Sequence, residues 1–232
     1  TYNDRWKERD PNWKPAAYQK EQDPIRGVFA YVADGLLQPG EEAPAHQPQL
    51  LPGQVKLKNI NGDDKLNEED MVLIGRNDPK FIFGFNNNFS YKNFDLNIYM
   101  YGQVGKIAGA NSYYDAWGSY GNRIKLGQNV PVSFKDAWSS DNQTSTRPSF
   151  IESAYGTGDL FLQKISFLRI RNITLGYTVP ISKSICNRLR VYADINNPCV
   201  WTNWKGQDPE TDSNTNAYPN VTSFSIGVDI SF

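Results

Sequence analysis

The chain has 232 residues, a net charge of −1 and a pI of about 5.9, so it offers no strongly basic surface for nucleic acid. Its mean hydropathy is −0.60, and it contains no apolar run long enough for a transmembrane helix. Aromatic residues make up 13% of the chain, a high fraction in which Tyr and Trp are prominent. The sequence starts at Thr1 without a recognisable signal peptide, which indicates a mature protein or a fragment.

Five segments alternate between apolar and polar residues with a period of two, the pattern of strands with one apolar and one polar face. The predicted strands are 81–91, 94–104, 165–179, 189–196 and 221–232. The apolar face of the third strand is assigned Ile165, Phe167, Ile173, Leu175, Tyr177 and Val179. Arg169 and Arg171 fall on that same face, which indicates either a bulge or a strand end that projects beyond hydrocarbon.

The connections between these strands alternate in length. The turn Lys92-Asn93 and the connection 180–188 are short, whereas 105–164 and 197–220 are long. Transmembrane barrels of the outer membrane have short periplasmic turns and long outer loops, and an alternating strand then has lipid on one side and water on the other. The pattern therefore predicts an all-β fold of antiparallel strands from a transmembrane barrel. Five strands cannot close such a barrel, so further strands must come from elsewhere.

Several motifs carry a resemblance to one family. YVADGLLQ at 31–38 resembles its YxADGxxQ segment, and PGQVKLKNINGD at 52–63 resembles PGDIKYKDxNGDG. LRIRNITLGY at 168–177 resembles LRLKNITLGY, and GQDPE at 206–210 resembles GxDPE. In this order and spacing the motifs resemble the C-terminal part of a SusC/RagA-type TonB-dependent outer-membrane transporter. The matches run from about Gly27 to Phe232.

The resemblance implies the C-terminal section of a barrel of about 22 strands with a plugged lumen. It implies import of oligosaccharides or oligopeptides, energised by TonB through an N-terminal part that this sequence lacks, with a SusD-like surface lipoprotein as a lid. The remaining barrel strands, the plug and outer-membrane lipid are the other expected partners, and nucleic acid is not. Residues 1–80 become an extracellular loop region, and the C-terminus lies at the periplasmic face of a bacterial outer membrane, with Phe232 as its assembly signal.

The acidic segment 59–70 has the spacing of a twelve-residue calcium loop, in which hard oxygen ligands surround one ion. Asn59, Asn61, Asp63, Lys65 (through its carbonyl), Asn67 and Asp70 occupy the ligand positions. Asn at the first position, Asp64 where glycine is usual, and the short Asp70 at the last position depart from the pattern. Bound Ca²⁺ and a solvated turn held by Asx hydrogen bonds are therefore both open.

Other candidate residues follow from the strand faces and loops. The residues expected to face the lumen are Tyr99, Tyr101, Gln103, Arg190, Tyr192 and Asp194, in contact with the plug or a transport path. Candidates in the long outer connection for contact with ligand or lid are Tyr113, Tyr114, Trp117, Tyr120, Trp138 and Tyr155. Trp201, Trp204 and Tyr218 are expected to form an interfacial aromatic girdle rather than a sugar site.

No constellation typical of an enzyme occurs, because His46 is the only histidine and no acidic pair stands in a catalytic context. Two alternatives to an importer segment stay open. One is a secreted β-sandwich that binds glycan and carries a calcium loop, in which the apolar faces would form one core. The other is a barrel remnant that scaffolds partner proteins without transport.

Overall fold

The computed structural model describes residues 16–17, 19–20, 23–24, 26–109, 126–127, 129, 132–150, 156–181, 186–206, 208–211 and 218–232. These residues form nine strands and two short 3-10 helices, Glu68–Asp70 and Val132–Asp136. Within these ranges no helix is long and apolar enough to span a membrane. The chain divides into two compact units. The small-sheet unit comprises the described residues of 16–78 and 107–163, and the five-stranded unit those of 79–106 and 164–232.

Two antiparallel strand pairs build the small-sheet unit. They are β1 (Gly27–Ala30) with β4 (Val72–Arg76), and β2 (Ala33–Leu36) with β3 (Val55–Leu57). The sequence pattern predicted no strand in residues 1–80, because strands of three to five residues are too short to display a period.

The core of the small-sheet unit lies on the second strand pair. Leu36, Val55 and Leu57 are buried there, and Tyr31, Ala33, Leu66, Trp138 and Leu160 pack against them. Gln47 is fully buried, and its side chain accepts a hydrogen bond from the Leu57 N–H at 2.7 Å and donates to the Val55 carbonyl at 3.5 Å. This amide therefore satisfies backbone groups of β3 much as a neighbouring strand would.

A glycine allows two segments to pack closely at this core. Gly53 has φ +84°, a conformation that side chains rarely adopt, and a Cβ built on it would lie 2.2 Å from the Trp138 ring. The Ser149 N–H donates to the Gly53 carbonyl at 2.8 Å, which ties the two segments together.

The remaining strands form one antiparallel sheet in the order β5-β6-β7-β8-β9. They are β5 (Phe81–Tyr91), β6 (Phe94–Gly109), β7 (Leu162–Val179), β8 (Arg188–Thr202) and β9 (Ser223–Ser231). All five predicted strands exist, and the bounds of β5 agree with the prediction. The other four differ at their ends, most of all β8, which runs six residues beyond the predicted end at 196. The predicted all-β, antiparallel fold is confirmed for the described residues.

Candidate functional site

The five-stranded sheet has two faces of different chemistry. Residues paired across an antiparallel sheet point to the same side, so the pairing of Leu175 with Ala193 and of Ala193 with Ile226 defines one apolar row. This apolar face is open: Phe224 is 77% and Ile226 82% exposed. Alternation alone predicted this sorting of side chains, and the register bears it out in β8 and β9.

The opposite, polar face carries all six residues that the sequence analysis assigned to the lumen: Tyr99, Tyr101, Gln103, Arg190, Tyr192 and Asp194. Along β6 and β8 they alternate with apolar residues, and Asp95 of β6, which shares the face of Tyr99, bonds to Arg190 of β8. The grouping on one face is a finding, whereas contact with a lumen stays a prediction.

Arg190 joins three strands on the polar face. Its Nη2 and Nε donate to Asp95 at 2.6 and 2.9 Å, and its Nη1 donates to Asp229 at 3.0 Å. Asp95 lies on β6, so the guanidinium must cross β7, which it does over Gly176. A Cβ at Gly176 would lie 2.4 Å from Arg190 Nη2, so the missing side chain makes room for this bridge.

Next to this bridge, Asp194 forms no ion pair with any of the described residues. Its carboxylate instead accepts hydrogen bonds from Asn172, from Thr174 Oγ1 at 2.7 Å and from Asn196 Nδ2 at 2.7 Å. The Ser225 side chain of β9 bonds to the same carboxylate, and a carboxylate surrounded by such donors is held in one orientation without an ion pair. The middle of the polar face is thus a network of amides and hydroxyls around a single charge.

A bulge interrupts the pairing of β7 with β8, as one of the two explanations for the arginines predicted. Ile170 pairs with Cys199 and Asn172 with Asn196, so Asn197 and Pro198 of β8 stand opposite a single residue, Arg171. Asn197 has φ +50°, the left-handed conformation that such irregularities use and that asparagine tolerates.

The bulge also changes the face to which β7 side chains point. Ile165 and Phe167 are buried, and the Phe167 ring meets the ring of Tyr101, on the polar face, edge-on at a centroid distance of 5.5 Å. The prediction that Ile165 and Phe167 share the apolar face of Ile173 is therefore wrong. The prediction assumed strict alternation along the whole of β7, but its side chains change face at the bulge.

The switch places Arg169 in a buried ion-pair cluster. Arg169 and Asp208 are each 3% exposed and bond at 2.8 Å, and Arg169 Nε also meets Glu210 at 2.5 Å. Burial alone raises the pKa of Asp208, but hydrogen bonds from the Glu210 and Asn220 N–H groups, together with the Arg169 charge, outweigh it and hold this pKa below its ordinary value. The sequence showed this segment only as a motif, since nothing in it indicates that residues 39 apart will pair.

The acidic loop 59–70 is held together by Asp70, which is fully buried. Its carboxylate accepts hydrogen bonds from the N–H groups of Ile60 at 2.7 Å, Asn61 at 3.3 Å and Asn67 at 3.0 Å. Burial raises the pKa of Asp70, but these backbone donors outweigh it and lower the pKa overall.

The other candidate ligands of this loop form local hydrogen bonds. The side chains of Asn59 and Asn61 accept from the Gly62 and Asp63 N–H groups, and Asp63 accepts from that of Lys65. Among the described residues no three His, Cys, Asp or Glu side chains are grouped as metal ligands. Asx bonds and the Asp70 anchor thus account for the loop conformation, and calcium occupancy stays a prediction.

The aromatic candidates divide into three groups. Tyr113, Tyr114, Trp117, Tyr120 and Tyr155 lie outside the described residues. Trp138 packs against the small-sheet core, and its Nε1 donates to Gln38 at 3.4 Å, while its contact with ligand or lid stays a prediction. In the expected girdle Trp201 and Tyr218 are exposed, but Trp204 is buried, which contradicts its assignment to a membrane interface. Phe232 follows β9 and is 88% exposed.

An antiparallel meander with an open apolar face and a polar reverse face is the kind of sheet found in transmembrane barrels. No family model matches the chain. TonB-dependent receptor P3 of Formosa agariphila is 27% identical over 92% of this chain and 23% of its own length. TonB-dependent receptor SusC of Bacteroides thetaiotaomicron is 26% identical over 74% of this chain and 17% of its own length.

Solved structures agree with these relatives. The RagAB peptide transporter superposes with a TM-score of 0.68 at 21% identity, over 89% of this chain and 22% of that chain. The resemblance to SusC/RagA-type TonB-dependent transporters is thereby confirmed, and the chain is homologous to a segment of them. It spans about a fifth of the length of these relatives. Their names describe receptors and transporters rather than enzymes.

Proposed function

We propose that this chain is a wall segment of a TonB-dependent outer-membrane importer. Strands β5–β9 form part of a large transmembrane barrel, with the apolar face in lipid and the polar face lining the lumen. The observation that carries this proposal is the open apolar face, since contiguous exposed apolar surface marks a membrane or partner contact. The sandwich alternative needs these apolar stripes packed together in a core, and residues such as Ile226 at 82% exposure speak against it.

The connections support an orientation for this segment. The short connections 92–93 and 180–187 join strands at one end of the sheet, and the strand ends joined by the longer connections lie at the other end. Short turns of outer-membrane barrels face the periplasm. In this orientation the C-terminus lies at the periplasmic face, and Phe232 is available as an assembly signal.

The proposed partners are the remaining barrel strands and the plug of the same transporter, TonB, and a SusD-like lipoprotein. The support is the names of the similar proteins, which include SusC and the RagAB peptide transporter. The proposed cargo is an oligosaccharide or an oligopeptide.

The experiment deletes the coding sequence for residues 81–232 in the bacterium that carries it and compares growth on panels of oligosaccharides and oligopeptides. We expect loss of growth on one oligomer class, restored by the intact gene and matched by loss of TonB. Unchanged growth on every oligomer after the deletion, with the lipoprotein bound to the intact chain and released from the deleted one, would favour the scaffold alternative. A chain that is monodisperse without detergent would favour the sandwich alternative.

A further inference from the structure

We propose that Arg171 binds an anionic oxygen group, a carboxylate or sulfate, of the solute that passes the loop-side end of the polar face. This inference rests on the proposed import function and narrows its substrate class. It comes from a comparison of three arginines on β7 and β8 that meet carboxylates: Arg169, Arg171 and Arg190.

Two of these arginines each face two carboxylates. Arg190 bonds to Asp95 at 2.6 Å and to Asp229 at 3.0 Å. Arg169 bonds to Asp208 at 2.8 Å, and its Nε lies 2.5 Å from a Glu210 oxygen as an ion pair without hydrogen-bond geometry. A guanidinium has two edges that can each bind a carboxylate, and each of these two arginines meets carboxylates on two sides.

Arg171 has a different environment. Its side chain is 41% exposed, and the nearest carboxylate oxygen, of Glu210, is 3.6 Å away. Its Nη1 donates to the amide oxygens of Asn197 at 3.3 Å and Asn220 at 3.2 Å. All three of these contacts use Nη1, and among the described residues Nε and Nη2 have no acceptor. One edge of the guanidinium is therefore open.

The same contacts hold this open edge in place. Asn197 is fixed by the bulge, Asn220 by two hydrogen bonds to Asp208, and Glu210 by Arg169. Neutral amides orient the guanidinium but leave most of its charge unneutralised. Binding of an anion therefore orders few additional groups and costs little conformational entropy.

The charge of the neighbourhood permits such a ligand. Arg169 and Arg171 face Asp208 and Glu210, so the cluster has no net negative charge to repel an anion. A carboxylate or sulfate can take two parallel N–H bonds from Nε and Nη2, a geometry that lysine cannot supply.

The test uses the full-length transporter in detergent and an arginine-selective reagent, p-hydroxyphenylglyoxal, with modified residues counted by mass spectrometry. We expect Arg171 to react while Arg169 and Arg190, both held by two carboxylates, serve as slow internal controls. Trigalacturonate, which carries three carboxylates, should slow modification of Arg171 about tenfold, whereas the matched neutral galactotriose should not.

Two results would overturn the proposal. Equal protection by both sugars, or none by either, would show that Arg171 does not select anions. An unreactive Arg171 in the intact protein would show that another part of the transporter already covers it.

A variant pair separates a ligand contact from a structural role. Arg171→Gln should abolish the difference in affinity between trigalacturonate and galactotriose, and Arg171→Lys should restore only part of it, while both variants keep the heat resistance of the folded barrel. Loss of heat resistance in both variants, with the selectivity for trigalacturonate retained, would instead assign Arg171 to the fold. Failure of the import proposal shows in growth rather than in this binding assay, so the two outcomes are distinguishable.

Discussion

The small-sheet unit and the five-stranded unit treat apolar side chains in opposite ways. In the former, Val55 and Leu57 are buried beneath Trp138, and even the polar Gln47 and Asp70 are enclosed and satisfied. In the latter, large apolar residues along β5 and β9 are exposed, while most of the polar network lies on the reverse face. A unit that encloses its own core can be stable in water, but one that exposes its apolar face requires another apolar phase.

The largest expected effect tests the buried charges of the five-stranded unit. Arg169→Met leaves Asp208 and Glu210 without their shared cation, and loss of one partner from a buried ion pair costs about 3–5 kcal/mol. The measurement is the temperature at which the full-length barrel loses its folded band on a gel. Lys164→Met, an exposed site on the same strand, is the control, and equal effects of both changes would contradict the assignment of a buried pair.

The next effect tests the difference between the two faces. Ile226→Lys puts a charge on the apolar face, where a lysine near the bilayer midplane costs about 2–4 kcal/mol. Ser225→Lys, one residue away on the polar face, has the Asp194 carboxylate within its row and should cost less than about 1 kcal/mol. The readout is the yield of heat-resistant barrel in the membrane. If Ser225→Lys were the more damaging change, the two faces would be exchanged.

Two glycines test the packing of the large sheet: Gly102, between Tyr101 and Gln103 in β6, belongs to the apolar face, and Gly176 to the polar face. A Cβ at Gly102 would lie 2.3 Å from the Phe167 backbone carbonyl, which cannot move aside, whereas at Gly176 it meets the mobile ends of Arg190 and Asp95. Gly102→Ala should therefore cost about 2–3 kcal/mol and Gly176→Ala about 1 kcal/mol, within the usual range for overpacking. Denaturant unfolding of the two variants side by side checks the order, and equal costs would contradict it.

A smaller effect is expected in the small-sheet unit. Asp70→Asn keeps the shape of the side chain but removes the charge that three backbone N–H groups share, at a cost of about 1–2 kcal/mol. Faster hydrogen exchange at Ile60 and Asn61 is the expected readout, with Asp64→Asn in the same loop as control. The same measurement with EDTA tests the predicted calcium: exchange rises if the ion holds the loop and is unchanged if Asp70 alone does.

The smallest effect is the response to mild acid. The pKa of Asp70 is lower in the folded protein than its ordinary value, so its contribution is complete above that ordinary value and is lost only as the pH falls through the lowered pKa. The protection of the Ile60 amide, which is the intrinsic exchange rate at each pH divided by the observed rate, should therefore stay constant from pH 7 to about pH 5 and fall only in stronger acid. A loss of protection already near pH 6 would show that a group other than Asp70 controls the loop.

The sequence predicted local features of the fold well and features that depend on distant parts of the chain poorly. Alternation located all five strands of the large sheet, because a period of two extends over eight or more residues in each predicted strand. It misplaced Ile165 and Phe167, because the two arginines indicated a bulge or a projecting strand end without showing which, and strict alternation was continued past them. The short strands of the small-sheet unit have no period to detect.

The candidate site shows the same limit. The residues of the polar face could be assigned from alternation alone, but the partners of Arg169 and Arg190 could not. Asp208 and Asp95 lie 39 and 95 residues away from them in sequence, and only the folded chain brings these pairs together. The loop 59–70 was found from its spacing, while the role of Asp70 as a backbone anchor appeared only in the structure.

The most direct test of the central claim is a scan of spin labels along β9 in the full-length transporter in lipid bilayers. Labels at 224, 226, 228 and 230 should collide with dissolved oxygen, which concentrates in hydrocarbon, and labels at 225, 227, 229 and 231 with a water-soluble nickel chelate. The account predicts this period of two, with oxygen on the side of Phe224. Accessibility without that period, or with the two sets of positions exchanged, would contradict it.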